Sequence, residues 1–140
     1  MKKTTSWGKV ANWYDGVVED ENSYQNTVIL PNLLRVVSPC EGQSILDLAC
    51  GQGFFSAHFL KNGSRVTGVD ISPELIEIAK KTNKEGNFSV SSAEKLLFPS
   101  KSFDTVVCVL ALQNIKDIQK AILEVCRVLK EKGKFVFVLN

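Results

Sequence analysis

Short runs of apolar residues alternate along the chain with stretches in which apolar residues recur three or four positions apart. The short runs predict strands, and they cover residues 44–48, 65–69, 88–91, 103–110 and 135–139. The intervening stretches predict helices, the clearest of which cover residues 54–61, 72–83 and 118–129. This alternation indicates βαβ units, and therefore an α/β fold whose parallel sheet carries helices on both faces. Right-handed crossovers and a switch point after the first strand predict a doubly wound sheet with strand order 3-2-1-4-5.

Residues 1–40 precede the first predicted strand and are expected to form a helical leader to a single domain of residues 1–140. The leader begins with a polar and aromatic segment that contains Trp13 and Tyr14. Residues 22–37 then follow a helical pattern that Pro31 interrupts. This proline either starts a second helix or kinks the first, because it cannot donate a backbone hydrogen bond.

Composition and charge narrow the class of protein. With 44% hydrophobic and 23% charged residues, the chain has the balance of an ordinary soluble globular protein. Its net charge of +2 and scattered lysines predict no nucleic-acid partner. No apolar run approaches the roughly 20 residues that span a bilayer, so no membrane association is expected. The four cysteines form no C-x-x-C pair, which predicts reduced thiols, a cytoplasmic location and no metal site.

The junction between the first strand and the next helix is the most informative part of the sequence. Asp47 lies in an otherwise apolar strand, where an unpaired charge is costly to bury, so we expect it to face a cationic or hydrogen-bonding ligand. Gly51 and Gly53 follow, and they allow a tight turn and a close approach of the backbone to that ligand.

Asp70 ends the second predicted strand, where an acid in open α/β folds accepts hydrogen bonds from ribose hydroxyls. The ligand is therefore predicted to contain a nucleoside. A dinucleotide turn has a third glycine, but this chain has Ser56 there, and Asp47 would repel a pyrophosphate. S-adenosylmethionine, with a sulfonium and an amino group, fits the two acids better, and a nicotinamide-binding oxidoreductase is the less favoured alternative.

Five segments together resemble the class I S-adenosylmethionine-dependent methyltransferases of the small-molecule type, with their Rossmann-like fold. The matching segments are residues 46–53, 66–72, 92–96 followed by 102–104, 110–114 and 127–133. The resemblance implies that the protein transfers a methyl group from S-adenosylmethionine to a small-molecule acceptor and releases S-adenosylhomocysteine.

The resemblance also implies which residues contact the methionine part of the cofactor. Asp47, Gly51 and Gly53 are expected to hold it, together with Ala49 from the same motif. Leu110 is expected to offer its carbonyl to the amino group. Two further roles stay open at this point. Tyr14 either lines the pocket near the methyl group or anchors the leader, and Gln113 and Asn114 either face the acceptor or cap a loop.

For the nucleoside part, the resemblance implies that Asp70 binds the ribose and that Ile71 packs on the adenine. Ala93 and Glu94 are expected to flank the adenine edge, partly through backbone groups. Ser92 occupies a position where the family often has an acid that reaches the adenine amino group. A serine carries no charge, so adenine affinity is expected to be lower. The sequence assigns no catalytic residue.

Members of that family usually continue for two strands beyond the fifth, whereas this chain ends with its fifth predicted strand. We therefore expect a truncated form that lacks strands six and seven, with the edge of the fifth strand exposed and available for self-association. A non-catalytic module that binds the cofactor or a partner is the alternative function that this expectation keeps open.

Overall fold

The computed structural model describes residues 20–140, which form five strands and four α-helices around one sheet. A π-helical turn at Gln25–Ile29 and a 3-10 turn at Leu112–Asn114 complete the secondary structure. The strands are β1 Ser44–Leu48, β2 Arg65–Asp70, β3 Asn87–Val90, β4 Phe103–Val109 and β5 Leu129–Val138. The helices are α1 Leu30–Val37, α2 Phe54–Lys61, α3 Pro73–Thr82 and α4 Ile118–Val128.

All neighbouring strands are parallel, and their order is β3-β2-β1-β4-β5, so the predicted topology is confirmed. β1 lies at the centre, where Ile45 is opposite Val66 of β2 and Thr105 of β4. The chain reverses its direction of travel across the sheet between β3 and β4. This reversal places the switch point beside β1, where ligands of open α/β sheets bind beyond the strand ends.

Side chains of β1 point alternately to the two faces of the sheet, because successive residues of a strand do so. Leu46 and Leu48 pack in a buried cluster with Val125 and Val128 of α4. Ile45 packs on the opposite face in a cluster that includes residues of α1 and α2. Helices therefore cover both faces, as predicted, and Asp47 shares a face with Ile45.

Pro31 lies in the first turn of α1, directly after the π-helical turn Gln25–Ile29, and Ile29 and Leu30 at this junction keep right-handed helical dihedral angles. The hydrogen-bond pattern therefore changes from π to α next to the proline, which has no N–H to donate. The apolar side of α1 is narrower than the sequence pattern indicates. Leu30, Leu33 and Val37 are buried, whereas Val36 is exposed.

β5 begins earlier than the sequence predicts. The helical pattern continues to Leu129, but α4 ends at Val128 and Leu129 already pairs with Phe103 of β4. The register of this pair shifts just beyond Phe103, and Lys132 adopts a left-handed φ of 62°. Gly133 therefore lies within β5 and not at the end of a helix.

β5 pairs with β4, and no other strand of residues 20–140 lies along its outer edge. Phe137 is 48% exposed and Leu139 is 56% exposed near this edge. Self-association through it remains a prediction. None of the helices in the described part of the chain is long and apolar enough to cross a membrane.

Candidate functional site

A crevice of about 350 Å³ opens beyond the carboxyl ends of the central strands. Its volume falls in the range of about 300–1,000 Å³ that small-molecule sites have. Of the residues predicted to bind the cofactor, the following line it: Ala49, Gly51, Asp70, Ile71, Ser92, Ala93, Glu94 and Leu110. Asp47 and Gly53 lie outside its lining, and Tyr14 lies outside the described residues. The parallel topology thus brings four separate sequence segments to one place.

Asp70 lies in the crevice wall and ties two turns together. Its Oδ2 accepts a hydrogen bond of 2.9 Å from the backbone N–H of Gly51, and its Oδ1 accepts one of 2.9 Å from that of Ser72. Burial raises the pKa of the Asp70 carboxyl, although backbone hydrogen bonds oppose the rise. Each carboxylate oxygen can accept more than one hydrogen bond, so Asp70 retains acceptor capacity towards the crevice.

Asp47 lies below the crevice and is only 2% exposed. Because it faces α2, its Oδ2 meets the hydroxyl of Ser56, which donates a hydrogen bond of 2.6 Å. Burial is the largest influence on its ionisation and, with the nearby charge of Asp70, raises the pKa of Asp47 to about 7, against the lowering effect of Ser56. This partnership could not be predicted from residue type, because Ser56 differs from a dinucleotide turn only as the residue that replaces its third glycine.

The glycine turn between β1 and α2 has a tight neighbour. Gly53 has a φ of 85°, and a Cβ built there would lie 2.7 Å from the side-chain nitrogen of Asn83. The same Asn83 nitrogen donates a hydrogen bond of 3.3 Å to the Gly53 carbonyl. The lack of a side chain at Gly53 therefore allows the start of α2 to pack closely against Asn83 at the end of α3. Gly53 also lines a shallow groove between these two helices.

Two crevice residues other than glycine have left-handed backbones. Ala49 has a φ of 57° at the end of β1, and Leu110 has a φ of 54° at the end of β4. Such conformations cost of order 1 kcal/mol and concentrate at ligand-binding positions. The Gln113 side-chain amide donates a hydrogen bond of 3.2 Å to the Leu110 carbonyl, so Gln113 caps this turn, while Asn114 lines the crevice.

The turn after β3 forms the wall beyond Asp70. The Ser92 hydroxyl accepts a hydrogen bond of 3.1 Å from the backbone N–H of Glu94. The Glu94 carboxylate in turn accepts one of 2.6 Å at Oε1 from the backbone N–H of Asp117, just before α4. Side-chain bonds therefore join this turn to the next helix.

Arg127 reinforces the same wall from the far end of α4. Its guanidinium donates to the carbonyls of Phe98 at 2.7 Å and Leu96 at 3.0 Å, and it pairs with Glu124 at 2.9 Å. Glu124 accepts a further bond of 2.7 Å from the Leu96 N–H. These bonds hold residues 96–98, which follow the turn of Ser92 to Glu94, and the sequence pattern does not reveal them.

The crevice also contains residues that the sequence did not assign to the cofactor. Leu75, Val109, Ala111, Ile115 and Lys116 are among these. Four of these five are apolar, and Val109 and Ala111 directly adjoin Leu110, which was assigned to the cofactor. For those two, the position next to a strand end is the signal in the sequence, whereas residue type alone places the apolar residues in the core.

Neither His58 nor Cys50 is placed for chemistry in the crevice. His58 lines the groove between α2 and α3, where burial and nearby Lys61 lower its pKa. Cys50 is buried against Ile76 and Ala79 of α3, and burial raises the pKa of its thiol. Within residues 20–140, no three His, Cys, Asp or Glu side chains are grouped to hold a metal ion.

The fold and the crevice define the class: a doubly wound α/β protein with its ligand site at the tips of parallel strands. Within that class, the chain belongs to the methyltransferase domain family, whose model matches residues 46–137. This membership confirms the resemblance to class I S-adenosylmethionine-dependent methyltransferases.

Individual relatives agree with this assignment. The chain is 30% identical to an uncharacterized methyltransferase, YcgJ, of Bacillus subtilis, over 99% of this chain and 55% of the relative. It is 33% identical to the demethylmenaquinone methyltransferase of Thermotoga maritima, over 97% of this chain and 53% of the relative. The chain thus spans about half the length of these relatives.

A solved structure supports the same likeness. The crystal structure of an S-adenosylmethionine-dependent methyltransferase from Mesorhizobium loti matches 84% of this chain and 54% of its own. The TM-score is 0.73 and the identity is 27%.

Proposed function

We propose that this chain binds S-adenosylmethionine in the crevice and serves as the cofactor-binding part of a methyltransferase that acts on a small molecule. The observation that carries the proposal is the convergence of Ala49, Gly51, Asp70 and Leu110, from three different strand ends, on one cavity. Membership of the methyltransferase family indicates the class of reaction, and the cavity is the place where we propose that the cofactor binds.

The charges around the crevice favour a cationic ligand. Asp47 and Asp70 are both buried, and neither forms an ion pair with a cation of residues 20–140. A positive charge placed nearby lowers the pKa of a carboxyl and so relieves the cost of its burial. S-adenosylmethionine carries a sulfonium and an ammonium group, which match this need.

The local packing disfavours a dinucleotide. Ser56, which replaces the third glycine of a dinucleotide turn, is fully buried and uses its hydroxyl on Asp47. The pyrophosphate of a dinucleotide would lie near this carboxyl, and like charges repel.

The cofactor supplies an activated methyl carbon, so no protein nucleophile is needed. The chain's own residues then bind and orient the reactants and exclude water. In this proposal, Asp70 accepts hydrogen bonds from the ribose hydroxyls. The Leu110 carbonyl faces the amino group, and Ile71, which is 55% exposed, is covered by the base.

Aromatic quinols are the acceptor class that we propose to test first. A relative named as a demethylmenaquinone methyltransferase matches nearly the whole of this chain. The crevice is also lined largely by apolar side chains, including Val109, Ala111 and Ile115, which suits a flat apolar acceptor.

Calorimetric titration tests the cofactor first. We expect S-adenosylmethionine and S-adenosylhomocysteine to bind at one site and NAD not to bind. Binding of NAD alone would contradict the proposal. A second assay then measures methyl transfer to reduced benzoquinones and naphthoquinones. Transfer only to amines or hydroxyl groups would contradict the acceptor class, and binding without transfer to any acceptor would favour a non-catalytic module.

Replacing Asp70 tests the ribose assignment. Asp70→Ala is expected to weaken S-adenosylhomocysteine binding by about 1–3 kcal/mol, because the hydroxyls lose a charged acceptor. Glu77→Ala is the matched control, since Glu77 is an exposed acid on the nearby helix α3 and lies outside the crevice lining. Equal affinities in both variants would remove Asp70 from the site.

A further inference from the structure

The sheet leaves an apolar surface uncovered along the outer edge of β5. No other strand of residues 20–140 pairs with this edge. Phe137 and Leu139, near the end of β5, are exposed, and so are Ile118 and Ile122 near the start of α4. We call these four residues the β5 flank. Large apolar side chains that are exposed together mark interaction sites.

The four residues lie on one face of the sheet and at one end of it. Phe135 packs in the buried cluster beneath α4, and its ring lies 5.3 Å from that of Phe137. Phe137, and Leu139 by alternation, therefore share the face that α4 covers. α4 runs back from the carboxyl ends of the strands over 11 residues, or about 16 Å, so its first turn lies level with the end of β5.

The two sides of α4 differ in polarity. Glu124 and Arg127 lie on the side towards β1, where both bond to the loop of residues 96–98 that leads from β3 to β4. The opposite side faces the outer edge of β5, and it is formed by residues four positions apart, which share one side of a helix. These residues are Ile118, Ile122 and Cys126, all exposed. The side of α4 next to the open edge is thus the apolar one.

The backbone at the end of β5 is oriented to pair with a further strand. The Leu110 N–H donates a hydrogen bond of 2.9 Å to the Val138 carbonyl, so the backbone groups of Val138 point towards β4. Backbone groups alternate in direction along a strand, so those of the residues on either side point outwards. The outward-pointing residues are Phe135, Phe137 and Leu139.

Charge decides which part of this edge is suited to pairing with a like copy. Residues 130–134 include three lysines and one glutamate, and charges on an edge oppose pairing. Lys132 also has a left-handed φ of 62°, which interrupts the regular strand. Residues 135–139, by contrast, carry no charged side chain. Pairing is therefore expected along residues 135–139.

We propose that the β5 flank is a self-association surface, where a second copy of this chain pairs its β5 antiparallel across a two-fold axis at Phe137. Phe135 of one copy then lies opposite Leu139 of the other. These are the residues whose backbone groups point outwards, as the hydrogen-bonded pairs of an antiparallel ladder require. Lys134 lies opposite Asn140 and not opposite another lysine.

The helices fit the same arrangement. α4 joins β4 to β5 and packs above them, so in the dimer the two copies of α4 lie about two strand spacings apart. Two spacings are about 10 Å, which is a distance at which helices pack. Ile118 and Ile122 of one copy then meet those of the other. A second copy thus supplies both a strand edge and an apolar helix side, in one closed two-fold interface.

Sedimentation equilibrium of the 140-residue chain measures the association. We expect a reversible dimer of twice the chain mass of 15.5 kDa. Phe137→Lys brings two like charges together at the axis, and each dimer carries the change twice. It is therefore expected to raise the dissociation constant by about a hundredfold or more.

Two variants on α4 separate the β5 flank from a general effect of charge. Ile122→Glu, on the flank, is expected to weaken the dimer by about tenfold or more. Leu123→Glu is the matched control, because Leu123 is 63% exposed and lies outside the flank. Its dissociation constant is expected to match wild type. If Phe137→Lys fails to fold, this pair of variants decides the matter.

Amide hydrogen exchange tests the strand pairing itself. The N–H groups of Phe137 and Leu139 are expected to be protected at concentrations where the dimer forms and to lose this protection on dilution. The Val138 N–H, which points towards β4, is expected to stay protected at both concentrations.

Four results would overturn the inference. They are a monomer at every concentration, a dimer that Phe137→Lys leaves intact, equal losses in Ile122→Glu and Leu123→Glu, and a dimer in which the Phe137 N–H is unprotected. A monomer would mean that a different partner covers the β5 flank. The proposed function is tested separately, since binding of S-adenosylhomocysteine supports it in a monomer and in a dimer alike.

Discussion

The tips of β1 and β2 each carry a buried aspartate, but the protein holds the two carboxyls in different ways. Asp70 accepts hydrogen bonds from two backbone N–H groups, so the surrounding turns depend on it. Asp47 has a single side-chain partner, the hydroxyl of Ser56. The same residue type thus supports the local fold at one strand tip. At the other it mainly introduces a charge that the ligand-free protein accommodates poorly.

This difference explains why Asp47 has a pKa of about 7. Burial raises the pKa of Asp47, and the hydroxyl and backbone of Ser56 both lower it but only partly compensate for that burial. Natural proteins tolerate such a cost at sites that bind a ligand, where stability and function compete. The contrast leads to three tests on the ligand-free protein.

The largest expected effect is on the pH dependence of stability at Asp47. Its pKa is about 7 in the folded protein and near 3.8 when exposed. Below about pH 4 the group is protonated in both states, so it carries no penalty. As the pH rises from about 4 to 7, only the unfolded state releases its proton, and the free energy of unfolding falls. At about 1.36 kcal/mol per pKa unit, the loss reaches up to about 4 kcal/mol above pH 7.

Asp47→Asn removes this contribution, because an amide of the same shape does not ionise. The variant is expected to be more stable than wild type at pH 8 and about equal near pH 4, as measured by urea unfolding across this range. Some slope remains in both proteins, since the pKa of Asp70 is also raised. Parallel pH profiles for wild type and variant would show that Asp47 is not held in its neutral form.

A smaller effect of opposite sign is expected at the tip of β2. Asp70→Ala leaves the backbone N–H groups of Gly51 and Ser72 without their acceptor, and each unsatisfied donor costs about 1–3 kcal/mol if it stays buried. We expect a net loss of about 2–3 kcal/mol in the free energy of unfolding, because removing a buried carboxyl offsets part of the cost. Unchanged stability in urea unfolding at pH 7 would mean that water replaces the lost acceptor.

Much of the fold could be predicted from the sequence because periodicity directly reports burial. The order of the five strands and the place of α3 followed from the pattern of apolar residues, and the structure adds that the Ser72 hydroxyl caps α3 by accepting the Leu75 N–H. The start of β5 could not be predicted in the same way. Leu129 fits the apolar side of a helix, but pairing with Phe103 takes it into the sheet.

The candidate site, like the fold, could be predicted only in part. Residues that motifs place at strand ends, such as Gly51 and Asp70, do line the crevice. Their partners could not be predicted, because the bond between Glu94 and Asp117 joins residues 23 positions apart. Nor does residue type reveal the left-handed backbone at Ala49, since alanine rarely adopts it. Only the folded sheet brings such groups together.

The smallest expected effect on the free energy of unfolding comes from replacing Ser56, the hydrogen-bond partner of Asp47. Ser56→Ala removes the hydroxyl that donates to Asp47, so the carboxylate loses its side-chain donor. We expect the pKa of Asp47 to rise further and the free energy of unfolding at pH 8 to fall by about 1–2 kcal/mol. The fall is limited because Asp47 can take up a proton instead. Near pH 4.5, where Asp47 is already protonated, the cost is expected to be smaller.

A double-mutant cycle shows whether this cost comes from the pair. In an Asp47→Asn background there is no charge for Ser56 to stabilise, so Ser56→Ala is expected to cost less there at pH 8 than in wild type. Urea unfolding of the four proteins measures the difference. If Ser56→Ala costs the same in both backgrounds, the serine contributes through packing alone. In that case the Ser56 hydroxyl does not stabilise the Asp47 carboxylate, and Asp47 and Asp70 differ more than their hydrogen bonds indicate.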